Sequence, residues 1–166
     1  MAEPIRHFLC LAELEQDVLA GLIERAAELA EERAAGQAVN LPLSQRAIAL
    51  VFEKPSTRTR VAFEVAAVEL GGVGVYLDAQ GSQLGRGEPI EDTARVLSSY
   101  CKAIVYRTFG HECVTAMAQA STAPVINGLS DWVHPCQLVA DLLTVRQEHG
   151  RVDGFKYAWI GDGNNM

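Results

Sequence analysis

Two short stretches hold most of the residues able to do chemistry. The first is Phe52-Glu53-Lys54-Pro55-Ser56-Thr57-Arg58-Thr59-Arg60, which lies between an apolar run at Ala47 to Val51 and a helical one at Val61 to Leu70. Pro55 discourages helix before Ser56, and Ser56 is a good N-cap. The free amides of Thr57, Arg58 and Thr59 should then point at one spot. A phosphate suits that spot, because the helix start carries about half a positive charge, the hydroxyls donate, and the Arg58 fork matches phosphate oxygens. The glycines and the Gly-Lys-Ser/Thr ending of a Walker loop are missing, which removes most support for a nucleoside triphosphate. On local chemistry alone the alternative is an ordinary capped helix with a solvated Arg60–Glu64 pair.

The second stretch is Asp131-Trp132-Val133-His134-Pro135-Cys136-Gln137. Pro135 fits the first helical position and puts His134 at the N-cap. A helix start disfavours imidazolium, so a neutral His134 can offer an N–H to a substrate oxygen, or it caps its helix and does nothing more. Cys136 is a poor nucleophile partner for His134, since side chains two apart on a helix do not face each other. Arg107 follows the apolar run ending at Val105-Tyr106, as a ligand or as a surface ion pair. Between these stretches the long connection from Asp78 to Pro89 holds Gly81-Ser82-Gln83-Leu84-Gly85-Arg86-Gly87-Glu88, a composition that suits either a lid or a solvated loop.

What must position these residues is legible as alternation. Leu14, Val18, Leu19, Leu22, Ile23, Ala26, Leu29 and Ala30 recur at helical spacing until Gly36, and Asn40-Leu41-Pro42 is turn-rich. Strands are expected at Ala47–Phe52, Val73–Leu77, Ala103–Tyr106, Pro124–Ile126 and Tyr157–Ile160. Helices are expected at Thr57–Leu70, Ile90–Tyr100, Glu112–Ala120 and Pro135–Gln147. That order implies an α/β fold, a mostly parallel sheet of about four to five strands with helices on both faces. Ligands of such sheets sit beyond the carboxyl ends of the strands, which is where all four loaded segments fall.

Composition sets the outer limits. The 166 residues, 49% apolar and 21% charged, suit one globular domain. No run approaches a membrane span and the start lacks a signal peptide's features, so the expectation is a cytoplasmic protein without membrane contact. A net charge of -7 argues against a nucleic-acid surface and makes any anion site local. Cys10, Cys101, Cys113 and Cys136 are scattered without a C-x-x-C pair, so reduced thiols are expected rather than zinc ligands or disulfides. His7, His111 and His149 lack partners at metal spacing and read as surface residues; no metal and no cofactor is expected.

Taken together, the segments resemble the carbamoyl-phosphate-binding half of the aspartate/ornithine transcarbamylase family, over nearly the whole chain. Ser56-Thr57-Arg58-Thr59-Arg60 is similar to the family's S-T-R-T-R signature, and His134-Pro135-Cys136-Gln137 to its H-P-x-Q, at fitting separation. Asp92-Thr93-Ala94-Arg95-Val96-Leu97 and Ala140-Asp141-Leu142-Leu143-Thr144 resemble the helices after the lid and after H-P-x-Q. Ser82-Gln83-Leu84-Gly85 and Gly161-Asp162-Gly163-Asn164-Asn165 resemble the ornithine-type branch. Apart from the resemblance, Gly161-Asp162-Gly163 is a weak dinucleotide cue, with Met166 where a third glycine belongs.

The resemblance implies residues 1–150 as a carbamoyl-phosphate-binding domain with an N-terminal helix, and 151–166 as the first strand and turn of a truncated ornithine-binding domain. By the same resemblance, the second domain with its D-x-x-x-S-M-G and H-C-L-P segments is expected to be missing from this chain. The implied reaction is attack by the δ-amine of L-ornithine on carbamoyl phosphate, giving citrulline and phosphate. By resemblance Ser56, Thr57, Arg58 and Thr59 hold the phosphate, and Arg107 bridges phosphate and carbonyl oxygen. His134 and Thr59 polarise that oxygen and Gln137 positions the carbamoyl nitrogen. Gln83 acts in an adjacent subunit of a homotrimer, and Asn165 binds the amino acid. A non-catalytic oligomerising or carbamoyl-phosphate-binding remnant, a putrescine or aspartate type of transcarbamylase, and a dehydrogenase nucleotide domain remain as alternatives.

Overall fold

The computed structural model describes residues 5–36 and 41–165, so Asn40 and Met166 lie outside the described residues. The β-rich runs become four strands, β1 (Ala47–Phe52), β2 (Val73–Asp78), β3 (Ala103–Arg107) and β4 (Val125–Leu129). Their order is β2-β1-β3-β4 and every pairing is parallel. Parallel neighbours require crossovers, which α2 (Thr57–Glu69), α3 (Ile90–Tyr100) and α4 (His111–Ala120) supply. Helix α1 (Gln16–Ala34) packs on α5 (Pro135–His149), which leaves β4.

The central strands are covered on both sides, which is why they read as unbroken apolar runs rather than as alternation. Ala49, Val51, Ile104, Tyr106 and Val125 face Ala94 of α3 and Val114, Met117 and Ala118 of α4. Ile48, Leu50, Phe52 and Val105 face Phe63 and Ala67 of α2. Each such fully buried large side chain is worth about 1.5–3 kcal/mol relative to exposure.

Three expectations need correcting. Tyr157–Ile160 forms no strand, and Ile160 is 98% exposed. The free side of β4 is already taken by an isolated bridge from Phe8 to Ile126, with Phe8 N–H donating to Val125 O at 2.8 Å and Asn127 N–H to Phe8 O at 2.8 Å. A strand without a neighbour leaves its ladder unsatisfied. β4 runs on past Ile126 through Asn127-Gly128, residues that disfavour strand by type. Tertiary fit overrides that: Asn127 is fully buried with its Nδ2 donating to Leu9 O at 3.0 Å, and a Cβ on Gly128 would lie 3.2 Å from Val105 Cγ1. Finally, His7 and His111 are half-buried structural groups. His7 Nδ1 accepts from Val125 N–H at 3.2 Å, and His111 Nδ1 pairs with Ser130 Oγ at 3.0 Å while its ring meets Trp132 edge-on.

Candidate anion-binding site

β1 leads to α2 on one face of the sheet and β3 leads to α4 on the other, so a crevice opens beyond the carboxyl ends of this adjacent pair. A cavity of about 570 Å³ lies there, lined by Ser56, Arg58, Thr59, Arg107, His134 and Gln137. Phe63 and Leu129 form apolar parts of its wall.

The helix start has the expected capped form. Ser56 is extended, with φ -161°, and its Oγ accepts from Thr59 N–H at 3.4 Å while donating to Thr59 Oγ1 at 2.9 Å. Arg107 joins this chain of hydroxyls, its Nη1 reaching Thr59 Oγ1 at 3.5 Å. Arg58 reaches the cavity from an exposed position. Arg60 lines no part of it: its Nε donates to Glu64 Oε1 at 3.0 Å and its guanidinium stacks on Tyr76.

A bulge aims Arg107. Pairing with β4 runs Tyr106 to Asn127 and then Arg107 to Leu129, skipping Gly128, and such irregularities redirect side chains at strand ends. Burial lowers the pKa of the Arg107 guanidinium, and its Nε is buried with no hydrogen-bond partner among the described residues.

His134 is the N-cap of α5 with Pro135 behind it, and it makes no side-chain cap bond. Its Nδ1 is likewise buried without a partner. Burial first, and the neighbouring Arg107 charge second, hold its pKa below the ordinary value, with Asp141 opposing. The imidazole is therefore neutral at pH 7, chiefly through desolvation. Gln137 Nε2 donates to Asp141 Oδ1 at 2.9 Å, which leaves its Oε1 as the free acceptor. Cys136 is inert: burial pushes its thiol up to about 11, and its Sγ contacts Asn127 O at 3.4 Å.

Three named residues fall outside this lining. Thr57 opens α2 but lines a neighbouring groove with Arg33, Val61 and Val65. Gln83 lies between the 3-10 turns Ala79–Gly81 and Leu84–Arg86, its carbonyl accepting from Arg86 and Glu88 amides. Asn165 Nδ2 donates to Ser130 O at 3.3 Å, beside the β4–α5 connection. Among the described residues no group of three or more His, Cys, Asp or Glu could hold a metal ion.

Sequence reasoning missed the residues that tie the connections together. Glu53 accepts from Tyr106 OH and, at 2.9 Å, from Thr108 Oγ1, while its own amide donates to Arg107 O at 2.9 Å. Burial, with the Glu53 bond second, raises the Tyr106 pKa far above its usual range, so this phenol stays a neutral donor. Lys54 pairs with Asp131. The available signal was position alone: Glu53 and Lys54 directly precede the cradle, but their partners lie 53 to 77 residues away.

A doubly covered parallel sheet whose switch point presents a capped helix start, a half-buried guanidinium and a neutral imidazole defines an α/β anion-binding domain. Comparison with known families narrows the class. Residues 6–147 match the model described as "Aspartate/ornithine carbamoyltransferase, carbamoyl-P binding domain", and the chain belongs to this family. It is 57% identical over 162 residues to an ornithine carbamoyltransferase of Acidothermus cellulolyticus, an alignment covering 98% of this chain and 51% of that protein. One from Pelobacter propionicus is 50% identical, covering 97% and 52%. The solved ornithine carbamoyltransferase of Pyrococcus furiosus superposes with a TM-score of 0.93 at 44% identity, covering 100% of this chain and 53% of that one. The chain thus spans about half the length of the curated relatives it matches.

Proposed function

We propose that this chain is the carbamoyl-phosphate-binding half of an ornithine carbamoyltransferase. The observation that carries the reading is the convergence on one cavity of the capped α2 start, with Ser56, Arg58 and Thr59, the Arg107 guanidinium, and the imidazole of His134, whose pKa burial lowers. A helix start and guanidinium groups beside a neutral imidazole favour an anion that brings oxygen acceptors. The ligand must be anionic at one end, for the helix start and Arg58, and carry an oxygen acceptor at the other.

Carbamoyl phosphate meets both requirements. Ser56, Arg58 and Thr59 hold its phosphate, with Thr57 contributing its amide at the helix start. Arg107 spans phosphate and carbonyl oxygen, and neutral His134 polarises that oxygen as an N–H donor. The Gln137 acceptor takes an N–H of the carbamoyl group. The neutral δ-amine of ornithine then attacks the carbonyl carbon, the tetrahedral intermediate breaks its C–O bond to phosphate, and the attacking nitrogen gives up one proton to the departing phosphate as citrulline forms. Asn165, beside the His134 connection, serves the amino acid.

Charge-assisted hydrogen bonds contribute about 1.5–3 kcal/mol each, enough for measurable binding by this chain. Turnover needs both substrates oriented, a contribution of up to about 7–11 kcal/mol. Relatives about twice as long have further chain to supply it. Titration calorimetry tests the reading: carbamoyl phosphate binds, citrulline forms at trace rates at most, and binding of carbamoyl phosphate without any response to ornithine added afterwards favours a non-catalytic remnant instead. Absence of carbamoyl phosphate binding at millimolar concentration refutes it.

The reading includes a cytoplasmic homotrimer. Support comes from Val73 and Val75 on edge strand β2, which stay exposed on the side where Leu77 packs toward α3, and from exposed Val96 and Tyr100 on α3 itself. Gln83, outside its own chain's cavity, is then free to enter a neighbour's. Light scattering showing only monomer at high concentration would remove both the trimer and Gln83 from the proposal.

A further inference from the structure

Three connections meet at one ammonium group outside the cavity. Lys54, from the β1–α2 connection, pairs with Asp131 of the β4–α5 connection and lies 4.6 Å above the ring centroid of Phe109, from the β3–α4 connection. Asp131 N–H in turn donates to Phe109 O at 2.7 Å. Lys54 is 19% exposed against 61% for Asp131, so the lysine reaches inward while the carboxylate stays wet. Lys54 stands two residues before Ser56, and Asp131 three before His134. Neither lines the cavity.

We propose that Lys54 is a positioning residue whose pairing with Asp131 fixes the gap between the phosphate cradle and His134, without itself touching the ligand. The rest of the His134 loop is held from β4, from within and from the β3–α4 side: Asn127 Nδ2 donates to Val133 O at 3.4 Å, Ser130 N–H to the same oxygen at 3.1 Å, and His111 Nδ1 pairs with Ser130 Oγ at 3.0 Å. Those bonds shape the loop but do not tie it to the cradle. The Lys54–Asp131 pair makes that link directly, where the bonds of Asp131 to Phe109 and of Thr108 to Glu53 make it only through the β3–α4 connection. A ligand held by donors from separate connections is sensitive to errors of about 1 Å in their spacing.

The affinity arm of the test rests on the carbamoyl-phosphate reading above; a second arm does not. If Lys54 merely attracted the anion through space, Asp131→Ala would remove an opposing charge and tighten binding. If it positions, Asp131→Ala loosens binding.

The expected result is that Lys54→Met and Asp131→Ala each weaken carbamoyl phosphate affinity about tenfold, or about 1.4 kcal/mol. The double variant is no weaker than either single one, and Lys54→Arg stays within about threefold of the parent. Melting temperatures move by no more than about 2 °C, because a partly exposed pair contributes little to stability. In the free chain the ring nitrogen resonances of His134 shift alike in Lys54→Met and Asp131→Ala.

Unchanged or tighter binding in Asp131→Ala overturns the proposal, as do additive losses in the double variant or unmoved His134 resonances. A parent chain that binds no carbamoyl phosphate while both variants displace His134 refutes the functional reading and sustains the positioning role.

Discussion

At the amino-terminal ends of the strands, polar groups close on one another. Val73 N–H donates to Arg46 O at 3.0 Å, Lys102 N–H to Ala47 O at 2.8 Å, Ile104 N–H to Pro124 O at 2.9 Å, and His7 accepts from Val125 N–H. At the carboxyl ends, Arg107 Nε on the last residue of β3 and His134 Nδ1 at the start of α5 are buried with no partner among the described residues. One sheet therefore has an edge finished for stability and an edge held in readiness. The difference teaches where side-chain identity matters for folding and where it matters for binding. Desolvated polar groups persist at one end because the other end and the two cores over-determine the fold.

The sharpest way to break this contrast is Arg107→Met. Two lost charge-assisted bonds predict at least about a hundredfold weaker carbamoyl phosphate binding by calorimetry. Denaturant stability should be unchanged or higher, since a half-buried guanidinium with an idle buried Nε gives way to apolar volume. A large stability loss with binding intact would dissolve the contrast.

Gly72→Ala probes the opposite edge. Its Cβ would lie 2.7 Å from Arg46 O and 2.9 Å from Leu43 Cβ, so backbone must shift. About 1–3 kcal/mol of stability should be lost in denaturant melts, with ligand affinity inside about twofold of the parent.

The smallest effect is on pH. The folded chain holds His134 below its ordinary 6.5 by burial, so the unfolded chain takes up the proton first as pH falls. Stability then rises with pH between the depressed folded value and the ordinary one, and declines as pH drops through that window. His134→Gln should lessen the loss between pH 7 and 5.5 in denaturant melts. A residual slope should remain from His7, whose pKa burial also lowers.

Much of this was readable in the sequence because it is local. Pro55-Ser56 and His134-Pro135 announce their helix starts through backbone chemistry that acts within a turn, and both helices begin where those rules place them. Ala47–Phe52 reads as a buried strand because two faces need covering. What was illegible depends on neighbours far along the chain. Nothing near Asn127 says that Leu9 waits to receive its amide, and nothing near Tyr157 says whether a neighbouring strand is there to pair with it. His134 was expected neutral because of its helix, and it is neutral chiefly because of burial, a cause that belongs to the packed molecule.

The Lys54–Asp131 pair joins residues 77 positions apart. The cavity therefore has no partial form: it comes into being only when the polypeptide up to the start of α5 has been delivered and docked. A small molecule that fills it recognises finished protein alone and, at a hundred times its dissociation constant, deepens the native basin by about 2.7 kcal/mol.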